Sequence, residues 1–138
     1  MTLTGLDCLI ECGVTAESLA LALSESFGIP PDSIVMHREL AARIDTVMNS
    51  TIWACVHAQS DDSRWRYMID IDGKEEWPWS EWQHRMSDLA NHLGGPVWYC
   101  DESQCADDAM LVVYPDGRFE SVQLDPVARP AKVDGVEW

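Results

Sequence analysis

Arg64-Trp65-Arg66-Tyr67-Met68-Ile69-Asp70-Ile71-Asp72 sets the fold class. Its alternation places Trp65, Tyr67, Ile69 and Ile71 on one side, with Arg64, Arg66, Asp70 and Asp72 on the other. Period two over such a length predicts a strand with one face in the core and one in water. Upstream, residues 51–59 form a second apolar run that includes Trp53, Cys55, Val56 and His57. Ser60-Asp61-Asp62-Ser63 joins the two runs and supplies turn chemistry, so the pair reads as an antiparallel hairpin.

Just downstream, Asp70-x-Asp72-Gly73-Lys74-Glu75-Glu76 has the outline of a calcium loop. Lys74 stands where an acid is required and the glycine comes too early, so the reading is a turn at the strand's end. Next comes Glu75-Glu76-Trp77-Pro78-Trp79-Ser80-Glu81-Trp82, which concentrates tryptophan among acids. Ser80 and Gln83 have capping-box spacing and predict a helix with Trp82, Met86, Leu89 and Leu93 on its apolar stripe. Trp77 and Trp79 then fall on a loop stiffened by Pro78. Large aromatics on a rigid loop act as interface anchors. The plainer reading folds that loop over the core, with Trp79 stapled to the first helical turn.

The rest of the chain follows the same rules. Leu6, Cys8, Ile10 and Cys12 alternate with Asp7 and Glu11, which reads as a strand with one wet side. Thr15 is an N-cap for a helix through Phe27, with Leu19, Ala22, Leu23 and Phe27 inward and Gly28 as its stop. Residues 33–48 read as a short strand at 33–37 and then a helix at 39–48 carrying Leu40, Ile44 and Val47. Gly94-Gly95-Pro96 ends the Trp82 helix ahead of a strand at 97–100. Residues 105–108 read as loop. Residues 109–114 and 118–124 make a hairpin around Pro115-Asp116-Gly117. The expected architecture is a single α+β domain over residues 1–125 with an extended C-terminal tail at 126–138. Its sheet is mostly antiparallel with helices on one face, in the order of split β-α-β (ferredoxin-like) units.

The 138 residues, 46% of them hydrophobic, are enough for one domain with its own core. The net charge of −15 is unevenly spread. Asp7, Glu11, Glu17, Glu25 and Asp32 occupy residues 1–33 without a single Lys or Arg. Residues 60–98 carry a net −4 and residues 99–138 a net −6. Such a field repels phosphate backbones and anionic lipid and attracts cationic partners. Its plainer role is solubility. No apolar run reaches bilayer length and the first residues lack a basic leader, so a cytoplasmic location is expected.

Catalytic and metal signatures are weak. Cys8 and Cys12 share a strand face, and Cys100 and Cys105 bracket a short loop, neither matching the paired spacing of a zinc site. His84 and His92 stand two helical turns apart, and His57 shares a strand with Cys55 with nothing in the sequence to orient the pair. No Walker loop, dinucleotide fingerprint or nucleophile elbow is present. No cofactor, metal or catalytic residue is expected.

The reading that follows is a non-enzymatic acidic protein that neutralises a basic protein partner. An immunity protein or antitoxin inhibiting a cationic nuclease or toxin has this physics, without direct contact to nucleic acid or membrane. The expected contact residues are Glu75, Glu76, Trp77, Trp79 and Glu81, joined by Asp101 and Glu102 after the strand at 97–100. The alternatives are a small-molecule-binding protein or enzyme with a tryptophan-lined pocket, and an oligomer-forming subunit whose tail ends in Trp138.

Five cysteines cannot all close into disulfides, and reduced thiols are expected. The melting temperature is predicted to move by less than a few degrees with reductant or chelator. A larger shift, equivalent to about 1 kcal/mol, contradicts this.

Overall fold

The computed structural model describes residues 1–60, 62–104 and 109–123. A seven-stranded sheet carries the chain: β1 (Thr2–Ile10), β2 (Ile34–Met36), β3 (Ile52–Ala58), β4 (Tyr67–Pro78), β5 (Val97–Cys100), β6 (Ala109–Val113) and β7 (Phe119–Gln123). Its helices are α1 (Ala16–Phe27), α2 (Ile44–Met48) and α3 (Trp79–Leu93). The strand order is β2-β3-β4-β1-β5-β6-β7, antiparallel throughout except for β2 beside β3. β4 lies between β1 and β3, and β1 between β4 and β5. The four strands and two long helices thus interleave as split β-α-β units, with β2 added at one edge and the β6–β7 hairpin at the other.

Local chemistry starts and stops the helices. The Thr15 side chain accepts the Ser18 N–H at 3.1 Å, and Gly28 and Gly94 end α1 and α3 at φ of 71° and 70°. The expected Ser80 cap is not used. α3 starts at Trp79, two residues before the Glu81 that a Ser80 cap would make first, and the Trp79 N–H donates to the Met1 carbonyl at 3.0 Å. The Gln83 side chain instead hydrogen-bonds the Tyr99 hydroxyl.

Both long helices lie on one face of the sheet. Leu19, Leu23 and Phe27 of α1 and Trp82, Met86 and Leu89 of α3 join Leu6, Cys8, Ile10, Ile69, Ile71 and Tyr99 in one buried cluster. The opposite face holds a second cluster of Leu9, Met68, Trp98, Met110 and Val112 with Trp65.

This second cluster corrects the reading of residues 64–72. Ile69 and Ile71 face the helices as expected, and Arg64 and Arg66 are exposed. Trp65 is buried, but against the other face. The strand begins only at Tyr67, so period two does not extend back across the turn. Met68 is fully buried because the sheet has two apolar sides here, and for the same reason Leu9 is not wet.

Two other segments differ from expectation. Residues 73–78 continue β4 instead of turning. Pairing with β1 jumps from Gly5 opposite Asp72 to Leu3 opposite Trp77, so residues 73–76 form a bulge opposite Thr4. The strand at 34–36 is as read, but residues 37–43 form tight 3₁₀ turns and helix only follows at Ile44–Met48. Val47 is buried there, whereas Ile44 is exposed. Asp61, the loop at 105–108 and the tail from residue 124 lie outside the described residues. Among the described residues, no helix is long and apolar enough to cross a membrane.

Leu23→Ala is predicted to lower unfolding free energy by about 2–5 kcal/mol, since Leu23 is fully buried between the helices and the sheet. Leu21→Ala on the same helix, at a position 61% exposed, should stay within about 0.5 kcal/mol of wild type. Urea unfolding followed by circular dichroism reads both.

Candidate functional site

β3 begins at Ile52 opposite Gly73, and the last contact on that side is Lys74 N–H to the Thr51 carbonyl at 2.9 Å. Beyond it, Glu75 and Glu76 lie in the bulge, and Trp77 and Pro78 pair with Leu3 and Thr2 of β1 alone among the described residues. The segment expected to be a loop is therefore an open strand edge, with Glu75 and Glu76 exposed on its bulge. Thr2 Oγ1 donates to Glu76 Oε2 at 3.2 Å, tying that carboxylate to β1.

Behind the acids stands an aromatic stack. Trp77 lies parallel to Phe27 with ring centroids 6.2 Å apart and meets Trp82 at 4.8 Å. The Trp82 indole N–H donates to the Leu3 carbonyl at 3.0 Å, and the Arg85 guanidinium lies 5.1 Å from the Trp77 ring. Glu81 holds Arg85 in place through a 2.8 Å ion pair, and Arg85 also donates to the Ser26 carbonyl. Trp79 packs edge-on against Tyr99 at 5.9 Å. Both loop tryptophans are thus half-buried against the core, and neither projects freely. Trp77 lines one small cavity together with Glu75.

The last two candidates separate. Asp101 is buried and turned into its own loop, accepting from Ser103 N–H at 3.1 Å, the Ser103 hydroxyl and Gln104 Nε2 at 2.9 Å. Desolvation acts to raise its carboxyl, but these hydrogen bonds together outweigh it and hold Asp101 below the ordinary range. Glu102 is exposed and lines an open groove with Thr4, Gly5, Asp7 and Asp72. Thr4 also lines a small cavity with Trp77, Trp82 and Glu75. At about 40 Å³ this tryptophan-walled cavity is far smaller than the roughly 300–1,000 Å³ of a small-molecule site.

A polar cluster on the face away from the helices escaped the sequence reading. His57 Nε2 stands 2.9 Å from Asp70 Oδ2, and the His37 ring packs on His57 at 4.6 Å. Cys55 pairs with Asp70 across β3–β4, and Asp70 pairs with Asp7 across β4–β1. Register alone makes them neighbours; a hairpin closed by residues 60–63 would instead set Cys55 opposite Met68, and the observed register is two residues away because the turn closes between Gln59 and Arg66. Among the described residues, no group of three or more His, Cys, Asp or Glu side chains is arranged to hold a metal ion. Burial, and then the Asp7 and Asp70 carboxylates, push the Cys8 thiol far up, which removes it as a nucleophile at neutral pH. Burial also raises Cys12, and it pushes the Tyr99 hydroxyl up to about 12.

Asp101→Ala is predicted to cost about 1–3 kcal/mol at pH 7, since three donors lose a charged acceptor. Because the folded carboxyl is depressed, its contribution is complete above the unfolded value of about 3.9 and is lost as pH falls through the folded one. The gap between wild type and variant should therefore close below about pH 4 in acid titrations of stability.

No protein-family model matches the chain, and no match is found among curated proteins or solved structures. Its function has to be read from its own residues.

Proposed function

We propose that this protein is a non-enzymatic acidic binding protein that neutralises a basic protein partner, as an immunity protein or antitoxin does to a cationic nuclease or toxin. The observation that carries the reading is the pairing of exposed Glu75 and Glu76 with an open β4 edge, backed by the Phe27–Trp77–Trp82 stack. The Glu76 carboxylate, tied to Thr2, has less conformational freedom to lose on binding, which favours a preorganised interface. The free strand edge offers backbone donors and acceptors to an incoming extended segment.

The charge of −15 acts earlier, during encounter. It raises the local concentration of a cationic partner and rejects neutral or acidic competitors. Carboxylates docked in a phosphate-binding cleft would also occupy the positions of substrate phosphates. A bacterial cytoplasmic setting belongs to the same proposal. The alternative of a small-molecule-binding protein or enzyme has the Trp77–Trp82 cavity in its favour, but not its size.

The test is capture from a lysate of the source cells at low and high salt, with mass-spectrometric identification and an activity assay on what is retained. A basic protein whose toxic or nuclease activity falls on binding is expected, with association slowing steeply as salt rises and dissociation changing little. Glu75→Lys with Glu76→Lys should weaken binding by at least tenfold, about 1.4 kcal/mol. Both positions are exposed, so the fold should survive. If no cationic protein is retained at low salt, the neutralising role is wrong. If the double variant binds as tightly as wild type, the site is wrong.

A further inference from the structure

We propose that residues 124–133 fold back across the face of the sheet away from α1 and α3, bringing Arg129 to Asp7 and Asp70. The contact is internal and does not depend on the neutralising role or on any partner. Residues 124–138 lie outside the described residues, and their sequence opens Leu124-Asp125-Pro126-Val127-Ala128-Arg129-Pro130-Ala131-Lys132-Val133.

The face itself calls for a cover. Leu9, Met68, Trp98, Met110 and Val112 are each at most 7% exposed, although both long helices pack on the other side. Trp65 closes one end of this cluster, edge-on to Trp98 at 4.9 Å, with Arg64 over both rings. Met110 lies in the next row, between Cys100 of β5 and Val122 of β7, two short side chains that cannot close over it. Among the described residues, the buried Trp98 indole N–H has no hydrogen-bond partner. A backbone carbonyl laid across the face would accept from it.

Charge and reach select the occupant. Continued across the sheet, the Val122–Met110–Cys100 row leads to Asp7 and Asp70, which oppose each other on β1 and β4. The Asp72 carboxylate leans over Gly5, which has no side chain to displace it, and lines an open groove with Asp7 and Glu102. Carboxylates gathered this closely attract a cation. The chain leaves β7 at Gln123, beside the same row. Strands lie about 4.8 Å apart, so β1 and β4, three and four places from β7, are about 14 and 19 Å away. An extended, proline-containing segment advances about 3.1 Å per residue, which carries Arg129, six residues beyond Gln123, about 19 Å. Lys132 follows three residues later and continues the positive charge toward β3. A tethered cation also outcompetes a free one, since its effective concentration is on the order of millimolar.

The test uses the full chain in four forms: wild type, Arg129→Gln with Lys132→Gln, Asp7→Asn with Asp72→Asn, and the two pairs combined. Urea unfolding gives each folding equilibrium constant, and nitrogen-15 NMR follows solvent exchange of the Trp98 indole N–H. Neutralising Arg129 and Lys132 is expected to lower the folding constant at least about threefold more on the wild-type face than on the neutral one. The comparison cancels the general effect of charge, which acts in both backgrounds. Trp98 exchange should accelerate at least about tenfold when Arg129 and Lys132 are neutral. Additive stabilities overturn the proposal, and so does an unchanged Trp98 exchange rate. A light-scattering mass of two copies, with a coupling that vanishes on dilution, also overturns it, because the segment then crosses a neighbour's sheet.

Discussion

The pairing of β1 with β4 is the constraint on which the other features depend. Leu6 faces Ile71, Cys8 faces Ile69 and Ile10 faces Tyr67 on the helix side, while Asp7 faces Asp70 and Leu9 faces Met68 on the other. A slip of one residue would drive Asp70 and Asp72 under α1 and α3 and expel Ile69 and Ile71. Burying unpaired carboxylates is far more unfavourable than exposing two isoleucines. The apolar cluster beneath the helices therefore fixes the register, and the register fixes every polar neighbour on the opposite face.

One such neighbour pair is unfavourable. Asp7 and Asp70 are directly opposed, and like charges in that geometry repel. His57 meets Asp70 from β3 and offsets part of the repulsion. The face also divides along the strands, with an apolar patch around Trp65 and Trp98 at one end and aspartates at the other. An acidic chain tolerates this arrangement because its continuous core lies on the helix side.

The candidate interface arises from a mismatch in length. β4 runs on to Pro78, whereas β3 starts opposite Gly73, so the end of β4 has one open side among the described residues. The bulge opposite Thr4 lets the chain add residues without losing its hold on β1. Pro78 then enters α3, and the Phe27–Trp77–Trp82 stack ties the bulged edge to both long helices. Acidic groups at a bulged edge also discourage this protein's own copies from pairing there, while leaving the edge available to a basic strand.

The sequence by itself determined what local chemistry controls. The Thr15 cap, the glycine stops at 28 and 94, the stripe of Trp82, Met86 and Leu89, and the turn at Pro115-Asp116-Gly117 are set by residues a few positions apart. The concentration of tryptophan and acid at 75–82 was also legible, because composition needs no partner to be seen. Only the tertiary structure decided that Trp65 crosses to the other face, that residues 73–78 extend a strand, and that α3 starts at Trp79, whose N–H meets the Met1 carbonyl. It likewise turned Asp101 inward, left Glu75 exposed and set Asp70 between His57 and Asp7. These outcomes depend on which distant strand lies alongside, and that choice is made by burial summed over both faces of the sheet. No local window of sequence contains that sum.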